Sequence, residues 1–141
     1  MNVPKTLKVD KIFCEYEDRI VVSDIAFEVK TGGHASLLGP SGCGKTTILK
    51  AIAGFIQLTG GEISIDGKIV SGKTQFISPE SRRVGMVFQE HALFPHLDVE
   101  KNIAVGLRKT KSEKKNKLIE SFVERMGLGP ERHKYPHELS G

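Results

Sequence analysis

The chain has 141 residues, 21 of them Lys or Arg and 17 Asp or Glu, so it is long enough for one domain with a real core and only mildly basic, at +4. Its two cysteines, Cys14 and Cys43, form neither a C-x-x-C pair nor a disulfide framework, which suits a reducing cytosol. No apolar run approaches the ~20 residues of a membrane span, and Met1-Asn2-Val3-Pro4-Lys5 leads into no apolar signal core; a soluble, intracellular protein able to dock on a membrane protein is expected.

Leu7, Val9 and Ile12-Phe13 predict a first strand. Ile20-Val21-Val22 with Ile25, Phe27 and Val29 predict a second, alternating in its latter half. Thr31-Gly32-Gly33 turns the chain into His34-Ala35-Ser36-Leu37-Leu38, which reads as a short buried strand, and Thr47-Ile48-Leu49-Lys50-Ala51-Ile52-Ala53 reads as a helix. Thr59-Gly60-Gly61 breaks the chain. Glu62-Ile63-Ser64-Ile65, Asp66-Gly67 and Lys68-Ile69-Val70 predict a hairpin, because Asp-Gly between two such runs is a strong turn signal. Arg83-Val84-Gly85-Met86-Val87-Phe88 predicts another strand, ending at Gln89. Asp98 is placed to cap a helix through Val105, and Ser112 to begin a longer one with Leu118, Ile119, Phe122, Val123 and Met126 on one face, ended by Gly127-Leu128-Gly129-Pro130. The Lys-rich run from Lys109 to Lys117 has no interleaved aromatic side chains and reads as a solvated loop and helix start, not a nucleic-acid surface.

Between the expected strand 34–38 and the helix lies Gly39-Pro40-Ser41-Gly42-Cys43-Gly44-Lys45-Thr46, which matches the phosphate-binding loop G-x-x-x-x-G-K-[ST] at every fixed position. Glycines let consecutive N–H groups turn inward as an anion nest. A helix starting near Gly44 adds its positive end. Lys45 reaches the outer phosphates, and the Thr46 hydroxyl is suited to hold the accompanying magnesium ion. Cys43 fills a position the motif leaves open; its thiol reads as incidental, although a helix N terminus and a nearby Lys favour reactivity. His133 and His137 have metal-like spacing, but Pro136 disrupts the helix that would bring both rings to one face, so no metal site is read there.

Four further features occur together: Tyr16 ahead of the loop, Gln89 at the end of the run 84–88, the stretch from Glu90 to Leu97, and Pro136-His137-Glu138-Leu139-Ser140-Gly141. With them the sequence resembles the nucleotide-binding subunit of ABC transporters from about Leu7 to Gly141, Leu139-Ser140-Gly141 being similar to the first three residues of the LSGGQ signature. The resemblance implies an α/β P-loop NTPase fold: a RecA-like core with an antiparallel β subdomain (about 1–92) and the start of the helical subdomain (about 93–141), truncated before the Walker B strand. It implies ATP and Mg2+ as cofactors. Gly39, Pro40, Ser41, Gly42, Cys43, Gly44, Lys45, Thr46 and Thr47 would hold the phosphates, and Tyr16 would stack on adenine. Thr46 and Gln89 would hold the metal, with Lys45 and Gln89 acting in catalysis. Ser140 and Gly141 would meet the γ-phosphate of a second copy's ATP in a head-to-tail dimer. The stretch from Glu90 to Leu97 would face a membrane permease, a periplasmic solute-binding protein would be an indirect partner, and the subunit would lie on the cytoplasmic face of the inner membrane.

Within the family, the run from Glu80 to Gln89 and Leu93-Phe94-Pro95-His96-Leu97 look most like bacterial import ATPases of the ferric iron, polyamine, sulfate and maltose group. Asn102-Ile103-Ala104-Val105-Gly106-Leu107 is similar to the ferric iron branch. A soluble ABC-type ATPase without membrane partners is the alternative. The signature breaks off before its second Gly, and the family's Walker B Asp, catalytic Glu and switch His have no counterpart in these residues. Because phosphoryl transfer to water needs a group that orients the nucleophile and a firm hold on the metal, the 141 residues alone are expected to bind nucleotide weakly and hydrolyse it at a negligible rate.

Overall fold

In the computed structural model, residues 6–16, 19–88, 93–108 and 110–139 are described. Packing divides the chain into two units, Met1–Met86 and Val87–Gly141.

The first unit is built on an antiparallel sheet of order β2-β1-β3-β4, from β1 (Thr6–Tyr16), β2 (Arg19–Lys30), β3 (Gly60–Ile65) and β4 (Lys68–Ser71). The expected hairpin forms, and the two expected strands before it pair as β1 and β2. Asp66 and Gly67 turn between β3 and β4 with φ of 55° and 75°, the left-handed pair that a two-residue hairpin requires. In β1 the inward side chains change parity: Val9 is buried, and then Ile12 and Cys14. The cause is a bulge at Lys11, φ 44°, where the register with both neighbours slips. Opposite it Gly61, φ 80°, lies so close that a Cβ would overlap the Lys11 carbonyl. One extra residue thus keeps a long strand feeding one core despite broken alternation.

Helix α1 (Lys45–Ala53) covers that face. Ile48, Ala51 and Ile52, at the i, i+3, i+4 spacing of one helix face, join Val9, Ile12, Cys14, Val22, Ile63 and Val70 in a single core. Gly54, φ 92°, ends the helix: its N–H donates to Ala51 O at 3.2 Å, and Phe55 N–H donates to Lys50 O at 2.8 Å. A short helix α2 (Pro79–Arg82), not expected from sequence, follows β4.

Two expected strands are not strands. Residues 34–38 and 84–88 take part in no ladder among the described residues; Leu38 is 91% exposed and Val87 98%. An apolar run becomes a strand only when a neighbour takes up its N–H and C=O groups, and among the described residues no strand pairs with either run.

The second unit holds α3 (Val99–Val105) and α4 (Ser112–Arg125), both as expected. Of the face predicted on α4, Ile119 and Val123 are buried, whereas Phe122 and Met126 remain exposed. Gly127, φ 66°, turns the chain, with Leu128 N–H donating to Val123 O at 2.9 Å. The loop then returns to α3: Val99 N–H donates to Lys134 O and Glu100 N–H to Arg132 O, at 3.0 and 3.1 Å. Arg132 locks this return. It donates to Glu100 through Nε (2.8 Å) and Nη2 (3.3 Å) and to Glu120 through Nη1 (2.8 Å). The guanidinium holds the Glu100 carboxyl below its ordinary range.

Candidate functional site

Residues 39–46 form a loop delivered by irregular chain from one side and entering α1 on the other. Gly39, Gly42 and Gly44 have φ of 155°, 81° and 92°. Gly44 is required twice over. Its φ is left-handed, and a Cβ there would lie 2.8 Å from the Val21 carbonyl and 3.1 Å from a Val22 methyl. The loop therefore sits directly on β2. Gly44 O accepts the first helical bond, from Ile48 N–H at 2.9 Å. The N–H groups of Lys45, Thr46 and Thr47, in the first turn, have no acceptor within the helix. They point along the positive end of the helix dipole, which makes them anion donors.

Lys45 folds back over the loop. Its ammonium donates to Gly39 O at 2.8 Å and Pro40 O at 2.6 Å, with Cys43 Sγ at 3.5 Å. The two carbonyls fix the charge at the loop mouth, where an anion entering the amide nest would meet it. Pro40, Ser41, Cys43 and Thr46 are exposed around that mouth, and Thr47 is half-buried. Cys14, by contrast, lies in the core, where burial pushes its thiol pKa up.

Tyr16 closes β1 with its side chain exposed. Val22, which the loop glycine touches, pairs with Cys14 just before Tyr16 in the ladder. A flat ring is thus offered at the end of the hairpin on which the loop rests. Gln89, Ser140, Gly141 and the first part of the stretch from Glu90 to Leu97 lie outside the described residues.

The rest of that stretch belongs to the second unit, and Asn102 organises it, a role its sequence position gave no sign of. The Asn102 amide donates to Phe94 O, Leu97 O and Asp98 O at 3.1, 2.9 and 3.1 Å, and its oxygen accepts from Phe94 N–H at 2.8 Å. Asp98 caps α3 as expected: Oδ1 accepts from Lys101 N–H at 2.8 Å and Oδ2 from Lys101 Nζ at 2.7 Å. An apolar cleft of about 390 Å³ opens beside this loop, lined among others by Phe94, Ile103, Met126, Leu128 and Leu139. His133 lies 3.8 Å from Glu100, whereas His137 stacks on Tyr135, so the two rings have different neighbours.

The Asp98 cap gives a pH-dependent prediction. The hydrogen bond from the Lys101 side chain, then that from its backbone, hold the Asp98 carboxyl below its ordinary range. A depressed folded pKa contributes stability above the unfolded value and loses it as pH falls through the folded value. Asp98→Ala is expected to cost about 1 kcal/mol at neutral pH. In urea melts of both proteins the deficit should shrink on acidification below the ordinary carboxylate range.

A family profile described as "ABC transporter" matches residues 22–141. The "Fe(3+) ions import ATP-binding protein FbpC" of Fusobacterium nucleatum is 37% identical over 137 residues, covering 96% of this chain and 36% of that protein. The "Spermidine/putrescine import ATP-binding protein PotA" of Chromobacterium violaceum is 39% identical, covering 96% and 37%. The chain thus spans about a third of the length of these relatives. Among solved structures, "Structure of a bacterial Atm1-family ABC exporter with ATP bound" superposes with a TM-score of 0.74 at 28% identity, covering all of this chain and 26% of that one. The glycine-rich loop on its antiparallel sheet, the helical segment after it, and a family match that runs through both have one explanation: the chain belongs to the ABC transporter family.

Proposed function

We propose that this chain is the N-terminal part of the ATP-binding subunit of a bacterial ABC importer, in which ATP hydrolysis drives solute uptake. The observation that carries the proposal is the loop: three left-handed glycines, a first helical turn with free N–H groups, and an ammonium already anchored at the mouth. In this reading Gly39 to Thr47 hold the phosphates, Lys45 pairs with the outer ones, and the exposed Tyr16 ring stacks on adenine. Thr46 carries a small exposed hydroxyl on the first turn, which fits a magnesium ion; Gln89 would be the second contact. Magnesium, when bound, neutralises phosphate charge. The 141 residues alone bind nucleotide weakly and turn it over negligibly, because the groups that orient water in this family have no counterpart here.

The partners follow from the same reading. A second copy packs head-to-tail so that Ser140 and Gly141 meet its ATP. A membrane permease engages the stretch from Glu90 to Leu97, whose visible part Asn102 holds in shape. A periplasmic solute-binding protein is an indirect partner. Among the described residues no helix is long and apolar enough to cross a membrane, and the subunit is proposed to sit peripherally on the cytoplasmic face of the inner membrane. Nucleic acid has no part in this reading.

Ferric iron is the proposed solute, supported by the similarity to FbpC; the comparable identity to PotA favours a polyamine importer as the second reading. Uptake assays in source cells carrying Lys45→Ala distinguish them. Loss of radiolabelled ferric iron uptake with spermidine uptake intact supports the first, and the reverse supports the second. No change in any solute, with the protein absent from membranes, would favour a soluble ABC-type ATPase.

A further inference from the structure

Arg82 is a buried cation with no carboxylate partner among the described residues. It ends α2 and is only 5% exposed. Its Nε donates to Ile77 O at 2.6 Å, and its Nη1 donates to Ala51 O at 2.7 Å and Ile52 O at 3.0 Å. The guanidinium carbon lies 5.0 Å from the centre of the Phe76 ring. Nη2 is buried with no hydrogen-bond partner among the described residues.

The placement is specific. Ala51 and Ile52 supply carbonyls of the last turn of α1, past the end of the i+4 ladder and at the negative end of the helix dipole, and Ala51 O accepts besides only the Gly54 cap N–H at 3.2 Å among the described residues. Gly54 leaves room for the charge: a Cβ there would lie 2.6 Å from Arg82 Nε and 2.9 Å from Cζ. One side chain, brought from about thirty residues downstream, therefore ties the far end of α1 to the turn after β4. The near end of the same nine-residue helix is the phosphate loop. A helix is a stiff rod, so fixing its C-terminal turn fixes where the N–H groups of its first turn point. Buried cations are costly unless their hydrogen bonds are well made, and three are made here.

We propose that Arg82 is a positioning residue for phosphate binding, which anchors the C-terminal turn of α1 and so aims the helix N terminus and the loop that opens onto it. This rests on the proposed role of the loop as the phosphate site of ATP.

The test compares the full chain with Arg82→Met and Arg82→Lys, read in two ways. The first is amide hydrogen exchange without nucleotide; the second is affinity for inorganic pyrophosphate. Arg82→Met should speed exchange in residues 44–53 by about tenfold or more and weaken pyrophosphate binding by a similar factor, since each hydrogen bond to a charged group is worth about a tenfold effect or more. The β3–β4 hairpin should keep its protection. Arg82→Lys keeps the charge with fewer aimed donors, and should recover part of both losses. Unchanged exchange in α1 overturns the proposal. So does an increase spread equally over α1 and the hairpin with no recovery by lysine, which would make Arg82 a general stability residue. Wild-type chain that shows no pyrophosphate binding would instead overturn the phosphate reading, and with it the aiming role, even if the exchange results showed Arg82 anchoring the helix.

Discussion

Lys45→Ala is expected to weaken ATP binding by about 10- to 100-fold while leaving the sheet folded. The ammonium is held by two loop carbonyls, Gly39 O and Pro40 O, and in the proposed function those bonds aim it at the phosphates. Charge-assisted bonds to an anion contribute about 1.5–3 kcal/mol, which sets the size of the loss. The two carbonyls lie on an exposed loop and regain water when the ammonium is removed, so little stability should go with it. ATP titration of wild type and variant, beside a urea melt of each, separates the two effects. A variant that binds ATP as well as wild type would contradict the assigned role of the loop lysine.

Ile63→Ala is expected to give the largest loss of stability of any single truncation named above. Ile63 lies in β3, is fully buried, and packs in the core that carries α1. Removing three carbons from such a site costs about 2–5 kcal/mol, the spread depending on how far the cavity collapses. Total stability is only about 5–15 kcal/mol, so the melting temperature should fall by about 10 °C or more. Ile20→Ala is the control. Ile20 is 64% exposed on the outer strand, and its truncation should change stability by no more than about 0.5 kcal/mol. Equal losses at the two positions, measured by thermal melts, would show that the core is not where the sheet and α1 place it.

Local chemistry made much of this molecule legible in sequence. Asp66-Gly67 announces its hairpin because a left-handed turn admits few other residues. Asp98 announces α3 because a carboxylate there has free N–H groups to accept from. The loop from Gly39 to Thr46 announces itself because its backbone and its charge are both constrained. Residues 34–38 and 84–88 misled for the opposite reason: an apolar run carries no record of the strand that must pair with it. The bulge at Lys11 was hidden because its compensation, Gly61, lies on another strand. Arg82 stands in a charged stretch, Glu80-Ser81-Arg82-Arg83, whose composition does not tell one arginine from the other. Only α1, thirty residues upstream, explains why one of its two arginines is buried. Asn102 likewise reads as a helical polar residue, yet its four bonds shape the loop before it.

The most direct measurement of the central assignment is a backbone-amide NMR titration of the chain with magnesium ATP, wild type beside Lys45→Ala. The expected result is a saturable movement of the amides from Gly42 to Thr47, weak in affinity, accompanied by a shift at Tyr16 and strongly reduced in the variant. Loop amides that stay in place at saturating ATP, or that move equally in both proteins, would contradict the assignment of this loop as the site that holds the phosphates of ATP.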